Sequence, residues 1–253
     1  MILLAVCALT AIFGAAQLFH RATVVDDFTG FSGVSVQDVQ DADNGAGAAV
    51  VLGGTSLLAA GVVWIIWQFR HAKNAQILRG NYGLSPGWAI GGWFVPLGNY
   101  VLPQLQLFQA AKASDPDLPP GQPPSAGSAP TIVPIWWVVM DLAWLLFAIG
   151  GSTRPSNSEL NFSNIDRFVR ADRIAGFSFL LMLIAAVLAI VVVRSLTERQ
   201  TRALSGHTPT QPQAPAYPPQ GYQPPYQQPP PQQWPPPPPP PPQQWPPPPP
   251  PPG

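Results

Sequence analysis

The sequence predicts an all-α fold, a polytopic transmembrane helical bundle that ends in a disordered proline-rich C-terminal tail. Its first support is a set of apolar stretches close to the roughly 20 residues that cross a hydrocarbon core of about 30 Å. These stretches are Ile2–Phe19, Ala46–Phe69, Ile132–Gly150 and Ile174–Val193. Their only ionisable side chains are Asp141 and the weakly acidic Cys7. Apolar runs of this length with so little charge are typical of membrane spans.

The same stretches divide the chain into segments. We predict a first transmembrane helix over 1–20, an extracellular loop over 21–45, a membrane domain over 46–203 with a proline-rich loop at 113–131, and a tail over 204–253. The first stretch has no Lys or Arg before it. A secretory signal begins with such a basic region, so we expect an uncleaved span.

Composition narrows the classes of function. Only 9 % of the residues are charged, against about a quarter in soluble domains. The net charge is zero, which gives no electrostatic basis for a nucleic-acid partner. The sequence has one cysteine and no nucleophile elbow, phosphate loop or metal-ligand cluster. We therefore expect a protein that is not an enzyme and that holds no cofactor or metal.

Charges around the spans predict the orientation. The loop at 21–45 carries five aspartates against Arg21, whereas the segment after the second span carries Arg70, Lys73 and Arg79 and no acid. By the positive-inside rule, the first loop is extracellular and Arg70–Arg79 lies in the cytoplasm. We expect a multi-pass protein of the plasma membrane, with the lipid bilayer as its first partner.

The segment 85–112 decides the number of spans. Ser85 and the proline after it resemble a helix N-terminus, and Pro96 ends that helix after about half a membrane thickness. Pro103 can begin a second, amphipathic helix. We favour four spans plus a re-entrant or interfacial hairpin, which places the tail in the cytoplasm. A single proline-kinked fifth span is the alternative, and the Lys and Arg count, seven against five either way, does not decide between them.

Asp141 is a candidate functional residue because it is tenth in a nineteen-residue apolar stretch. A carboxylate near the bilayer centre costs about 3 kcal/mol on insertion scales. One interpretation is a proton or cation site that faces the bundle interior. The other is a protonated carboxyl group that bonds to a neighbouring helix, for example at Thr55 or Ser56.

The segment from Asn74 to Asp117 carries a family resemblance. Asn74-Ala75 with Leu78, then Trp93-Phe94-Val95-Pro96, Asn99 and Pro103, resembles a family of bacterial, mostly actinobacterial, integral membrane proteins known as domain of unknown function 4328. The resemblance covers residues 46–200 and implies a multi-span membrane protein without a stated activity. With Asp141 added, the candidate residues are Asn74, Trp93, Pro96, Asn99, Pro103 and Asp141.

The turn between Pro96 and Pro103 has two interpretations. It could expose backbone carbonyls at membrane depth, as the ion sites of transporters do. Alternatively, Asn99 satisfies the freed polar groups of its own turn. The oligomeric state does not follow from the sequence.

The tail is the other candidate for function. From His207 onward it carries no formal charge, and the motif Gln-Gln-Trp-Pro occurs at Gln232–Pro235 and Gln243–Pro246, before runs of eight and seven prolines. Such runs adopt polyproline II helices, which bind aromatic-lined grooves. We predict a membrane scaffold or interaction protein whose tail docks a protein partner. The alternatives are a low-complexity spacer for the tail, and a small transporter or channel subunit for the whole protein.

Overall fold

The computed structural model of the chain describes residues 1–29, 33–155 and 164–206, so the predictions for residues 207–253 lie outside the described part. No β-strand occurs among the described residues. Their α-helices are α1 (Ile2–Thr29), α2 (Val36–Arg79), α3 (Trp88–Gly91), α4 (Leu102–Ala113), α5 (Ile132–Thr153) and α6 (Ile165–Gly206). Short 3₁₀ turns occur at Gly92–Phe94, Gly98–Tyr100 and Pro124–Ala126.

Four of the described helices, α1, α2, α5 and α6, are long and apolar enough to cross a membrane. Each contains one of the four predicted apolar stretches. The longest helix between α2 and α5 is α4, whose 12 residues reach only about 18 Å. The predicted all-α fold with four span-forming helices and a proline-broken segment is therefore confirmed.

The long helices pack antiparallel to their neighbours. Cys7, near the start of α1, packs with Ala186 in the second half of α6, whereas Ala22, later in α1, packs with Phe168 at the start of α6. The start of α5 packs on the end of α6 through Trp136. One end of the bundle therefore gathers the starts of α1 and α5 and the ends of α2 and α6. Since α3 and α4 also contact α2 there, we call it the hairpin end.

Small residues allow the helices to approach closely. A Cβ atom added at Gly14 of α1 would lie 2.3 Å from the ring of Phe179 on α6, and one added at Gly53 of α2 would lie 3.1 Å from the same ring. A Cβ atom at Gly150 of α5 would meet the backbone oxygen of Ala171 at 3.1 Å. Phe179 thus fills the space that two glycines leave between α1, α2 and α6.

The first connection is shorter than the loop predicted over 21–45, because α1 continues to Thr29 and α2 begins at Val36. Ser35 caps α2: its hydroxyl oxygen accepts the Asp38 N–H at 3.2 Å, and the Asp38 carboxylate accepts the Ser35 N–H at 2.8 Å. This capping box starts the helix ten residues before the apolar stretch. With 44 and 42 residues, α2 and α6 are about 66 and 63 Å long and extend well beyond a hydrocarbon core.

The proline-broken segment forms a short hairpin. Its first arm is α3 followed by one 3₁₀ turn, which is shorter than the helix predicted up to Val95. Val95 is extended, as a residue before proline prefers, and Leu97 adopts a φ of 59°. The chain then turns through Gly98–Tyr100, and Pro103 lies in the first turn of α4. Pro96 therefore ends the first arm as expected, and Leu97 reverses the chain.

A buried ion pair fixes the end of the bundle opposite the hairpin. The guanidinium of Arg21 on α1 donates to both carboxylate oxygens of Asp172 on α6, at 2.7 and 2.5 Å. Arg21 is 4 % and Asp172 1 % exposed. Asp43 of α2 lies 3.5 Å from the same guanidinium. Removal of one partner of such a pair costs about 3–5 kcal/mol, because the other charge stays buried.

The helix arrangement predicts which positions share a side of the membrane. Single cysteines replace the exposed residues Gln37, Ser125 and Ser205 in a Cys7→Ser background and are treated in intact cells with a membrane-impermeant thiol reagent. We expect Ser125→Cys and Ser205→Cys to give the same result, either both labelled or both protected. Gln37→Cys should give the other result. A proline-kinked fifth span would place all three on one side, so equal labelling at the three positions would contradict the four-span arrangement.

Candidate functional site

The hairpin end contains a buried polar network centred on Gln68 of α2, which is 1 % exposed. The Gln68 amide nitrogen donates to the carbonyl oxygen of Pro103 at 2.6 Å and to the side-chain oxygen of Gln106 at 3.2 Å. Its side-chain oxygen accepts the indole N–H of Trp64 at 3.1 Å. One side chain thus joins α2 to the first turns of α4.

The network continues from Gln106 to the connection after α2. The Gln106 amide donates to the hydroxyl oxygen of Tyr82 at 2.9 Å, and the Tyr82 hydroxyl donates to the carbonyl of Ala72 at 3.1 Å. Burial raises the pKa of Tyr82 to about 12, although the bond from Gln106 acts in the opposite direction. Tyr82 is therefore a neutral hydrogen-bonding bridge at physiological pH.

A second buried group surrounds Gln200 near the end of α6. The Gln200 amide donates to the carbonyl of His71 at 2.9 Å and to the hydroxyl of Ser114 at 3.1 Å. Its side-chain oxygen accepts the Asn74 amide at 3.1 Å. These bonds hold the end of α6 against α2 and the end of α4.

A third group surrounds Asp115, just after α4. Its carboxylate accepts the N–H and the hydroxyl of Ser128, at 2.7 and 2.8 Å, and forms an ion pair with Arg199 of α6 at 3.0 Å. Burial raises the pKa of Asp115, but the bonds from Ser128 and from the Asp117 amide, together with the charge of Arg199, outweigh burial and hold the pKa below its ordinary value. Asp115 is therefore ionised at neutral pH.

Some buried polar atoms at the hairpin end have no hydrogen-bond partner among the described residues. They are both ring nitrogens of His71, the indole nitrogen of Trp93, the side-chain oxygens of Asn99 and Gln104, and Nε of Arg199. The His71 ring stacks on Trp67 with centroids 5.5 Å apart. The turn at Asn99 is closed by its backbone, whose N–H donates to the Val95 carbonyl at 2.9 Å.

An apolar cavity of about 170 Å³ adjoins this network. It lies between the long helices and Trp93, and it is partly open to the outside. Its lining contains four indole rings, of which those of Trp64 and Trp136 lie 4.5 Å apart. The lining residues are Leu4, Cys7, Leu57, Ala60, Gly61, Trp64, Ile65, Trp93, Trp136, Met140, Trp144, Met182, Ala185, Ala186 and Ala189. Since the Cys7 thiol is the most polar non-aromatic group among them, the cavity suits an apolar molecule.

The structure brings together three of the six sequence-predicted site residues. Asn74 and the Pro103 carbonyl belong to the polar groups, and Trp93 lines the cavity. Pro96 and Asn99 lie in the turn of the hairpin, next to these groups.

Asp141 lies elsewhere, on α5. Asp141 is partly buried: one helical turn away, Val138 is 64 % and Leu145 56 % exposed, whereas Trp144 lines the cavity. Asp141 therefore lies between the outward side of α5 and the side that lines the cavity. Thr55 and Ser56, the example partners in one interpretation of Asp141, bond to other groups. The Ser56 hydroxyl oxygen lies 2.8 Å from that of Thr10, and the Thr55 hydroxyl donates to a carbonyl of its own helix. The physical reason is that α5 packs chiefly on α6 and not on α2.

Sequence reasoning missed the glutamines that build the site. Gln68 is the strongest missed signal, because an amide at the end of an apolar stretch needs partners inside the protein. Gln106 and Gln200 gave no local sign of their roles, since their partners are distant in sequence. Among the described residues, no group of three or more His, Cys, Asp or Glu side chains could hold a metal ion.

Comparison with known proteins agrees with the motif from Asn74 to Pro103. The model of the family described as Domain of unknown function (DUF4328) matches residues 32–198. The match confirms the resemblance, covers α2 to α5 and most of α6, and includes Gln68 and Asp115. No curated protein and no solved structure matches the chain.

We expect Gln68→Ala to destabilise the protein by about 1–3 kcal/mol, because it leaves the Trp64 indole N–H buried without a partner and removes the bonds from Gln68 to Gln106 and Pro103. The matched control is Gln76→Ala on the exposed surface of the same helix, with an expected effect within about 0.5 kcal/mol. Denaturant unfolding in detergent micelles measures both. Equal effects of the two substitutions would contradict the central role of Gln68.

The Asp115 group predicts a loss of stability in acid. Because the pKa of Asp115 is lowered on folding, its contribution is fully present above the unfolded pKa of about 3.9 and is lost as the pH falls through the folded value. Asp115→Asn should therefore lower the midpoint of thermal unfolding at pH 7. It should also make the fall of that midpoint with decreasing pH, below about pH 4, less steep than in the unmodified protein. Asp117→Asn, an exposed neighbour, is the control, and an identical pH profile for both variants would contradict the prediction.

Proposed function

We propose that this chain, which belongs to the DUF4328 family of unknown function, is a non-enzymatic scaffold protein of the plasma membrane. Its four-helix body crosses the bilayer and anchors the proline-rich tail for a protein partner. The observation that carries this proposal is the position of α6. The helix ends at Gly206, directly before the tail sequence, and it is attached to the body less than two turns before that end.

The attachment comes from two adjacent residues of α6. Arg199 pairs with Asp115 at 3.0 Å and donates to the Ser128 carbonyl at 3.0 Å. Gln200 bonds to α2 and to Ser114. Buried hydrogen bonds and partly buried ion pairs of this kind hold a helix end more firmly than exposed pairs, which contribute about 0–1 kcal/mol. The base of the tail therefore starts from a fixed point, as an anchoring role requires.

The chemistry of the tail suggests its partner. Trp234 and Trp245 each stand directly before a proline run, in sequence without formal charge. Domains with aromatic-lined grooves bind polyproline II segments, whose extended conformation costs little entropy to fix. A cytoplasmic partner with such a groove fits the proposal, because Arg70, Lys73 and Arg79 assign the hairpin end, and with it the base of the tail, to the cytoplasm.

The transporter alternative has less support. A transport path needs polar groups that line a route between the helices. Asp141 is not among the residues that line the cavity between the helices, and that lining is apolar. No observation on the described residues favours transport over anchoring.

The test is capture of purified polyproline-binding domains of the SH3, WW and EVH1 classes by the protein in lipid nanodiscs. We expect at least one domain to bind the full chain and not a chain that ends at Gly206. The matched variant, Trp234→Ala with Trp245→Ala, keeps the prolines and should weaken binding about tenfold or more, as hot-spot tryptophans do. Equal binding by full-length and truncated protein, or binding by neither, would contradict the docking role.

A further inference from the structure

We propose that the apolar cavity at the hairpin end binds one acyl chain of a membrane phospholipid, taken from the adjacent leaflet. This inference rests on the membrane location in the proposed function and is independent of the tail. The cavity, of about 170 Å³, is partly open, so a chain can enter from the side without unfolding the bundle.

The depth of the cavity fits a lipid chain. Its lining runs from Leu57 to Ile65 along α2, a distance of about 12 Å, and from Met182 to Ala189 along α6. Both ranges begin near the middle of their apolar stretch and extend toward the hairpin end. A cavity at this depth lies beside the acyl chains of one leaflet.

The chemistry of the lining excludes water as the occupant. A buried water needs two to four polar partners, and an apolar cavity of about 150 Å³ stays dry and takes up small apolar molecules. Here the lining is aliphatic, aromatic or thioether, apart from the Cys7 thiol and the indole N–H groups. The indole N–H of Trp64 is already bonded to Gln68, and that of Trp93 is a single donor without a partner, fewer than the polar groups that a buried water needs. The acyl chains that surround the bundle are therefore the apolar molecules available to occupy the cavity.

Gly61 marks unfilled space in the wall of the cavity. It lines the cavity, yet a Cβ atom added there would meet no atom within 4 Å. The next residue, Val62, is 60 % exposed and faces outward. The missing side chain therefore leaves room where the cavity meets the lipid-facing side of α2.

A charge at the level of the headgroups complements the phosphate of a phospholipid. Ile65, Phe69 and Lys73 follow one another at four-residue intervals along α2, from the cavity lining toward the end of the helix. Lys73 is exposed, and its ammonium lies 5.8 Å from the centre of the Phe69 ring. A lipid with one chain in the cavity would place its phosphate toward this cation.

The experiment is photo-crosslinking of the full-length protein in phosphatidylcholine vesicles that contain a phosphatidylcholine with a diazirine midway along one acyl chain. Mass spectrometry maps the modified residues. We expect inward-facing lining residues of α2 and α6, such as Ala60 and Ala185, to be labelled in addition to the exposed Leu58.

Gly61→Leu fills the cavity and should reduce the inward labelling at least threefold. Gly54→Leu is the matched control, because Gly54 is exposed on the same helix and is equally free of contacts, and it should leave the labelling unchanged.

Several results would overturn the inference. One is labelling of the unmodified protein confined to exposed residues such as Leu58 and Val62, an outcome that does not depend on how the variants fold. Another is equal inward labelling in Gly61→Leu and Gly54→Leu proteins with the same thermal midpoint. A third is displacement of the label by a polyisoprenyl phosphate and not by excess unlabelled phosphatidylcholine, which would assign the cavity to an isoprenoid chain. Capture of a polyproline-binding domain, which tests the scaffold role, does not depend on any of these results.

Discussion

A buried amide side chain has no water to bind, so the protein must supply its hydrogen-bond partners. Gln68, near the end of the apolar stretch of α2, is such a side chain. Its amide donates to the carbonyl of Pro103, in the first turn of α4, at 2.6 Å. Because Trp64 and Gln106 hold the same amide, this contact also fixes where α4 returns along α2. The polar groups around Gln200 and Asp115 include residues directly after α4, so they depend on that placement.

The helix α6 connects this end of the bundle to the other. Asp172 holds its start through Arg21 of α1, and Arg199 holds its end through Asp115. Between these pairs lies the apolar stretch Ile174–Val193, and α6 packs on both α1 and α5. Charged partners thus lie beyond the apolar stretches, where the cost of burying them is smaller, and van der Waals packing acts within the stretches. A helix fixed at both ends is a suitable base for the tail that follows it.

The features that depend on local sequence were predictable. Length and apolarity predicted four span-forming helices, and Pro96 predicted the break before α4. The start of α2 could also have been predicted, because the capping residue Ser35 is visible in the sequence. The pairing of Arg21 with Asp172 could not, since it joins residues 151 positions apart. The neighbours of Asp141 could not be predicted for the same reason: a single sequence does not show which helix lies beside α5.

The depth of the hairpin turn in the membrane is the most direct test of the central claim. That claim is that the proline-broken segment enters and leaves the membrane on one side. Leu97 in this turn is 82 % exposed, and the nearby Tyr100 carbonyl accepts the Trp137 indole N–H at 3.0 Å. Spin labels are placed at Leu97 and at the exposed Leu142, which lies about 7.5 Å further along α5 than Trp137. The membrane depth of each label is measured from its collision rates with oxygen and with a water-soluble nickel complex. The docked hairpin predicts that Leu97 is several ångströms shallower than Leu142. Equal depth at the bilayer centre would contradict it and indicate a kinked fifth span.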